Sequence, residues 1–414
     1  MIQRVKGAQD FLDLTLCNFL IDETKNHLDS YNFNEIATPV LEPVELFKRS
    51  LGLETDVVSK EMYTLIADPA ICLRPEATAS CMRAFLNDGN LTTPWKIFMW
   101  GPMFRHERPQ KGRYREFHQI SIEVIGSESV YQDVHFIKML DRLFQEKLHL
   151  DTYGLLINFL GCKEDRAIYK KKLYAFLTKH GSELCETCKV RKERNIMRVF
   201  DCKTESCQDL YQKAPFIADN LCEQCTQEWH TLKNSLEQLS VSYSYKPTLV
   251  RGLDYYDKTV FEFVSTELGA QNAFCGGGRY NSLAEELGAK KPQPSLGASL
   301  GIERILLMLE RIKDKLTLPV KKPLYVLVPL STEQHILALL IADELQARNL
   351  SAEVLIEGDS LKSLMRQTNK LGAKFALIIG PDEQIKKVVT VKNMVTSESH
   401  EIHQKDLVAF LTKQ

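Results

Sequence analysis

No stretch of this sequence is apolar for long enough to span a bilayer. The longest candidate runs, Ile302 to Leu309 and Leu324 to Leu330, fall well short of the roughly 20 apolar residues that a spanning helix needs. The charged-then-apolar pattern of a secretion signal is missing from the first residues as well. The expectation is a cytoplasmic chain with no membrane partner. Excess charge is also absent: 53 Lys and Arg stand against 54 Asp and Glu, a net charge of −1. That argues against a protein that coats nucleic acid by bulk neutralisation, and leaves local basic patches as the only route to such a contact. A disulfide framework is disfavoured too, because the 11 cysteines are spread unevenly and fit a reducing compartment better. What remains is ample: 414 residues, 44% of them hydrophobic, can bury a large core in two or three domains.

The most informative stretch is 96–126, KIFMWGPMFRHERPQKGRYREFHQISIEVIG. It predicts two strands joined by a loop dense in positive charge. In the second strand, His118, Ile120, Ile122 and Val124 point one way and form a core face. Phe117, Gln119, Ser121 and Glu123 point the other way, and polar groups in a row on one face are unfavourable unless that face lines a polar cavity. The loop holds Arg105, His106, Glu107, Arg108, Lys111, Arg113 and Arg115. Arginine suits an anionic client, because its planar fork donates parallel hydrogen bonds and stays charged. A solvated hairpin tip is the plain alternative for such a charge run, and the polar strand face beside it favours a site.

FRHERPQKGRYREFHQ resembles motif 2 of the class II aminoacyl-tRNA synthetases, in the form carried by histidyl-tRNA synthetases. By that resemblance Arg105 holds the α-phosphate of ATP, Glu107 faces the adenine and Arg113 reaches the outer phosphates. Arg108 and Gln110 fall where the loop approaches the acceptor end of the tRNA. Gln119 and Glu123 fall on positions that contact histidine, in agreement with the polar face.

Other stretches support the same resemblance. Phe33 to Leu41 is strand-like with Pro39 inside it, which suits an edge strand; Pro39 is similar to the proline of motif 1, at the homodimer interface of the family. LRPEAT, 73–78, precedes a helical pattern, so Glu76 and Thr78 could simply cap it. The family's RPEGT implies instead that both touch the amino acid, with Ala77 standing for the usual Gly. RGLDYY, 251–256, could be a turn with buried aromatics. It also resembles the stretch that sets histidyl enzymes apart, which implies Arg251 against the histidine carboxylate and α-phosphate, with Tyr255 and Tyr256 walling the imidazole pocket. CGGGRYNSL, 275–283, lets backbone approach a ligand closely or makes a tight turn; it is similar to the family's GGRYD, with Asn281 in place of Asp. SLGASLGIERILLMLE, 295–310, resembles motif 3, which puts Arg304 on the adenine near the γ-phosphate.

The organisation expected from these readings is an α+β class II catalytic core, an antiparallel sheet flanked by helices, over 1–160 and 246–316. It is interrupted by a helical, Cys-rich insertion at 161–245 and followed by an α/β domain at 322–414, which in the family reads the anticodon. The insertion contains Cys185, Cys188, Cys222 and Cys225 as two CxxC pairs, with Cys202 and Cys207 between them. Paired CxxC knuckles can supply the four thiolates of a structural Zn²⁺, and reduced, partly buried thiols are the alternative. The preferred ligands are the two pairs, with Cys202 or Cys207 as substitutes. The resemblance implies an ATP-dependent, Mg²⁺-assisted ligase acting on L-histidine and tRNA(His), with Arg105, Arg251 and Arg304 as catalytic residues. Two relatives of the fold, a regulatory subunit of a phosphoribosyltransferase and a tRNA-binding stress sensor, are the rivals, and the intact arginines argue against both.

Overall fold

The period-two pattern at 117–124 becomes the middle of an eight-stranded sheet in the computed structural model, which describes residues 2–358 and 360–413. The strands before residue 319 are β1 (Asn34–Glu35), β2 (Leu41–Pro43), β3 (Ile71–Leu73), β4 (Trp95–Phe104), β5 (Glu116–Ile125), β6 (Gly154–Phe159), β7 (Ser244–Tyr245), β8 (Asp257–Val264), β9 (Ala273–Arg279) and β10 (Ser295–Gly301). β2 pairs with β3 alone, and the others lie in the order β1-β4-β5-β10-β9-β8-β6-β7. Pairing is antiparallel except at the two ends, where β1 joins β4 and β7 joins β6 in parallel. Ile120, Ile122 and Val124 face the core with the helices Thr15–Asp29, Val130–Arg142 and Ile302–Leu309. The other face of β5 stays polar, and Ser121 pairs with Ser299 of β10 through their hydroxyls at 3.1 Å.

One expectation about the elements needed correction. The 33–41 stretch is not one continuous strand: Asn34 and Glu35 pair with β4, residues 36–40 do not lie in a strand, and Leu41 opens β2 against β3. The alternation of Val260, Glu262 and Val264 against Phe261 and Phe263 becomes strand β8, Asp257–Val264, and Arg251, Tyr255 and Tyr256 just before it line a cavity. The insertion has helices Lys163–Lys179 and Glu223–Gln238 about where periodicity puts them. Its short helices Glu186–Arg194, Ile196–Asp201 and Glu205–Tyr211 are too brief to show a period in sequence.

The chain divides into compact units Met1–Leu318 and Pro319–Gln414. The insertion belongs to the first, since its Cys188, Val199 and Tyr211 share one apolar cluster with Phe47, Tyr255 and Tyr280. The second unit has β11 (Leu324–Pro329), β12 (Ser351–Val354), β13 (Phe375–Ile379), β14 (Val388–Asn393) and β15 (Ser399–His403) in the order β12-β11-β13-β14-β15. Its first three strands are parallel, as expected of βα alternation, while β14 and β15 run antiparallel. The sequence of β15, SHEIH, is mostly exposed and lacks the apolar alternation that would mark it. Among the described residues no helix is long and apolar enough to cross a membrane.

Candidate active site

The polar faces of β5, β8, β9 and β10 open into a cleft of about 330 Å³, and four arginines from separate segments, Arg105, Arg113, Arg251 and Arg304, line it. Each is held by its own contacts. Arg105 donates from Nε to the Pro75 carbonyl at 2.9 Å and lies over the Phe117 ring at 5.3 Å. Arg113 is ion-paired with Glu107, which is nearly buried. Arg304 donates from Nε to the Gly112 carbonyl at 2.8 Å and also to the carbonyl of Ala273. Arg251 is ion-paired with Glu262 and lies 5.7 Å from the Tyr256 ring centre. It rests on Gly276, where a Cβ would stand 2.7 Å from its Cζ; only glycine leaves room for that approach.

Desolvation, with Arg113 and Arg105 nearby, pushes the Arg304 guanidinium down to about 10. So much like charge in a partly dry cleft is unfavourable without a polyanion. Two buried polar atoms add to that reading: Arg251 Nε and Gln119 Oε1 have no hydrogen-bond partner among the described residues. A buried donor and acceptor left open on a cleft wall are suited to a ligand that supplies both partners.

The remaining predicted residues separate into a wall and a layer behind it. Glu76, Gln119, Tyr255 and Tyr256 line the cleft. The Glu76 carboxylate also accepts the backbone N–H groups of Thr78 and Ala79, both at 2.8 Å, so it caps helix Thr78–Asn87 while facing the cavity. Burial raises its pKa. Thr78 and Glu123 sit behind the wall: the Thr78 hydroxyl donates to Glu123 Oε1 at 2.8 Å, and the Tyr280 hydroxyl donates to Oε2 at 2.6 Å. Desolvation pushes the fully buried Glu123 carboxyl up to about 8. Arg108 and Gln110 are exposed on the loop, away from the cleft lining.

A family model described as histidyl-tRNA synthetase matches residues 20–305, and one described as an anticodon binding domain matches residues 325–414. This chain belongs to the histidyl-tRNA synthetase family. It is 41% identical to a histidine–tRNA ligase of Halothermothrix orenii, with 100% of this chain and 99% of the relative covered. It is 40% identical to that of Acetivibrio thermocellus, with 99% of each covered. The solved apo histidyl-tRNA synthetase of S. aureus is 30% identical, with a TM-score of 0.80 over 99% of both chains. A Bacillus halodurans structure described as an ATP phosphoribosyltransferase regulatory subunit/histidyl-tRNA synthetase reaches a TM-score of 0.62 at 19% identity, over 92% of this chain and 98% of its own. The fold alone therefore does not separate a synthetase from a regulatory relative, and the side chains of the cleft have to.

Two departures from the family's motifs have simple structural outcomes. Ala77 has φ −105°, a conformation open to any residue, so no glycine is needed there. Asn281 accepts the Ser295 N–H through Oδ1 at 3.1 Å, a role that needs an oxygen rather than a charge. Reading the sequence missed Glu262, Tyr280 and Arg198. Glu262 alternates with the core residues Phe261 and Phe263 on β8, a signal like that of β5, whereas Arg198 lines the cleft from the insertion with no local pattern to announce it.

The metal reading is corrected. Cys185 and Cys188 do not meet Cys222 and Cys225. The first pair gathers with Cys202 and Cys207, and the second with Cys162 and Asp165. The reason is packing: helix Glu223–Gln238 buries Trp229, Leu232 and Leu236 in the same core as helix Val130–Arg142, while Cys188 lies in the other apolar cluster.

Proposed function

We propose that this chain is a histidine–tRNA ligase working in two steps in this cleft. The histidine carboxylate attacks the α-phosphorus of ATP, giving histidyl-adenylate and releasing pyrophosphate. The terminal ribose hydroxyl of tRNA(His) then takes the acyl group and AMP leaves. The observation that carries the reading is the convergence of four arginines on a cleft whose wall also holds Gln119, Glu76 and two tyrosines. Both steps build negative charge at fixed positions, and positioned cations stabilise it without covalent catalysis. In this scheme Arg105 and Arg251 hold the α-phosphate and carboxylate together. Arg113 and Arg304 take the outer phosphates, with Arg304 also against the adenine and Glu107 toward the base. The imidazole enters between Tyr255 and Tyr256 toward Glu123, while Arg108 and Gln110 meet the acceptor end of the tRNA and the 322–414 domain meets its anticodon.

Mg²⁺ fits this site as an ion brought on the nucleotide. The carboxylates of Glu107 and Glu262 are already ion-paired, and among the described residues no group of three or more donors gathers in the cleft. Such an ion keeps most of its ligands from phosphate and water and neutralises phosphate charge. Histidine-dependent ATP–pyrophosphate exchange, followed by charging of tRNA(His), tests the reading; exchange that histidine does not stimulate would overturn it.

The chain acts as a cytoplasmic homodimer joined near Pro39. The edge around β1 supports this, since the large apolar side chains Leu41 and Trp100 are exposed there. Arg74 ties that edge to the site: it donates to the Thr38 carbonyl at 2.9 Å and to the Pro102 carbonyl at 3.0 Å, two residues before Glu76. Sedimentation at micromolar concentration should give about twice the chain mass, and a monomer that still charges tRNA would count against the interface.

A further inference from the structure

The helix Glu186–Arg194 buries one side chain, Cys188. A helix this short and polar has almost nothing to dock it. Around Cys188 stand Cys185, Cys202 and Cys207, and the four sulfurs lie within 4.8 Å of one another, with Cys185 and Cys202 at 3.7 Å. Four ligands at a Zn–S distance of about 2.3 Å in a tetrahedron require sulfurs about 3.8 Å apart. Two backbone amides already point at this group: Cys185 N donates to Cys207 Sγ at 3.3 Å, and Thr204 N to Cys202 Sγ at 3.4 Å. Such N–H groups offset the negative charge that four thiolates bring to a divalent ion.

We propose that Cys185, Cys188, Cys202 and Cys207 form a tetrathiolate site for a structural Zn²⁺ that holds residues 189–201 against the catalytic cleft. Those residues span the second and third ligands. Within them Asn195 Nδ2 donates to Asp254 Oδ2 at 2.7 Å, and Arg198 donates to the Arg251 carbonyl at 3.4 Å while lining the cleft itself. Ile196, Val199 and Phe200 anchor the later part of this segment in the apolar cluster, whereas the polar helix Glu186–Arg194 before them buries Cys188 alone. Tying both ends of the segment to one ion supplies the docking that this helix lacks. The second gathering, Cys162, Asp165, Cys222 and Cys225, differs in kind. Both Asp165 oxygens there accept backbone N–H groups, of Cys222 at 2.9 Å and of Cys162 at 3.3 Å, so its carboxylate is satisfied without an ion. The metal assignment stands apart from the ligase reading; only the coupling to the cleft rests on it.

The test is metal analysis of the full chain, expressed with zinc and purified without chelator. Wild type and the Cys222→Ser/Cys225→Ser variant should each retain about one zinc per chain, and Cys202→Ser/Cys207→Ser should retain none. Wild type without metal and with these four thiols freely titratable would overturn the proposal, as would zinc that survives the Cys202/Cys207 substitutions. Should that double variant fail to fold, cobalt-substituted wild type decides: tetrahedral thiolate bands in the visible spectrum are expected, and their absence overturns the site. For the coupling, stripping the ion should lower histidine-dependent exchange at least about tenfold and re-addition should restore it; unchanged exchange removes the coupling. Zinc bound at the site in a protein that shows no exchange would strike the ligase reading and leave the metal site standing.

Discussion

Replacing Arg251 with alanine should slow adenylate formation by about 10² or more, about 2.7 kcal/mol of transition-state stabilisation. Arg251 is immobilised by Glu262, Tyr256 and the bare backbone of Gly276, and its Nε has no partner among the described residues. In the proposed scheme it brings a carboxylate nucleophile and a phosphate together against their mutual repulsion. The alanine variant loses that cation and also leaves Glu262 unpaired beside the phosphate, so the electrostatic loss is doubled in kind. ATP binding, spread over three other arginines, should suffer less than the exchange rate. Lysine at 251 keeps the charge without the fork and should recover only part of the activity. Pyrophosphate exchange near the wild-type rate in the alanine variant would refute the role.

Glu123→Gln should raise the histidine KM about tenfold or more and leave the ATP KM nearly unchanged. In the proposed scheme a bound imidazole donates its N–H toward Glu123 and favours the ionised carboxylate; glutamine stands in for the protonated acid but cannot take up that charge, so the loss falls on histidine binding. Equal changes in the two constants would sink the assignment.

The same variant should be more stable than wild type at alkaline pH. Desolvation pushes the Glu123 carboxyl up to about 8, above its unfolded value near 4.5. Folding then takes up a proton between those values, and the fold loses stability as pH rises through that window. Glutamine has nothing to ionise and resembles the protonated acid. Its advantage in denaturant melts should be absent near pH 4.5 and reach about 1 kcal/mol or more by pH 8. A constant difference across that range would mean that Glu123 is ionised in the fold throughout. Binding and stability would thus be opposed at one residue, as is common where a site keeps a buried acid.

The sequence by itself determined whatever depends on direction along one element. Side chains on a strand alternate strictly, so Phe117, Gln119, Ser121 and Glu123 had to share a face opposite Ile120 and Ile122. The apolar spacing of Ile302, Ile305 and Leu309 in the same way determined which side of that helix is buried. The stretches carrying Arg105, Arg113, Arg251 and Arg304 were legible through their resemblance to the family's motifs, and all four arginines line one cleft. Only the tertiary structure decided what depends on distant segments meeting. It placed Glu123 behind the wall under Thr78 and Tyr280, 45 and 157 residues away. It also brought Arg198 from the insertion to the cleft, and it kept each CxxC pair together while sending the two pairs to separate clusters with different partners. Spacing along the chain says which way a side chain points from its own backbone. Which other backbone stands opposite is settled by how whole helices and sheets bury their apolar faces, and no short stretch encodes that.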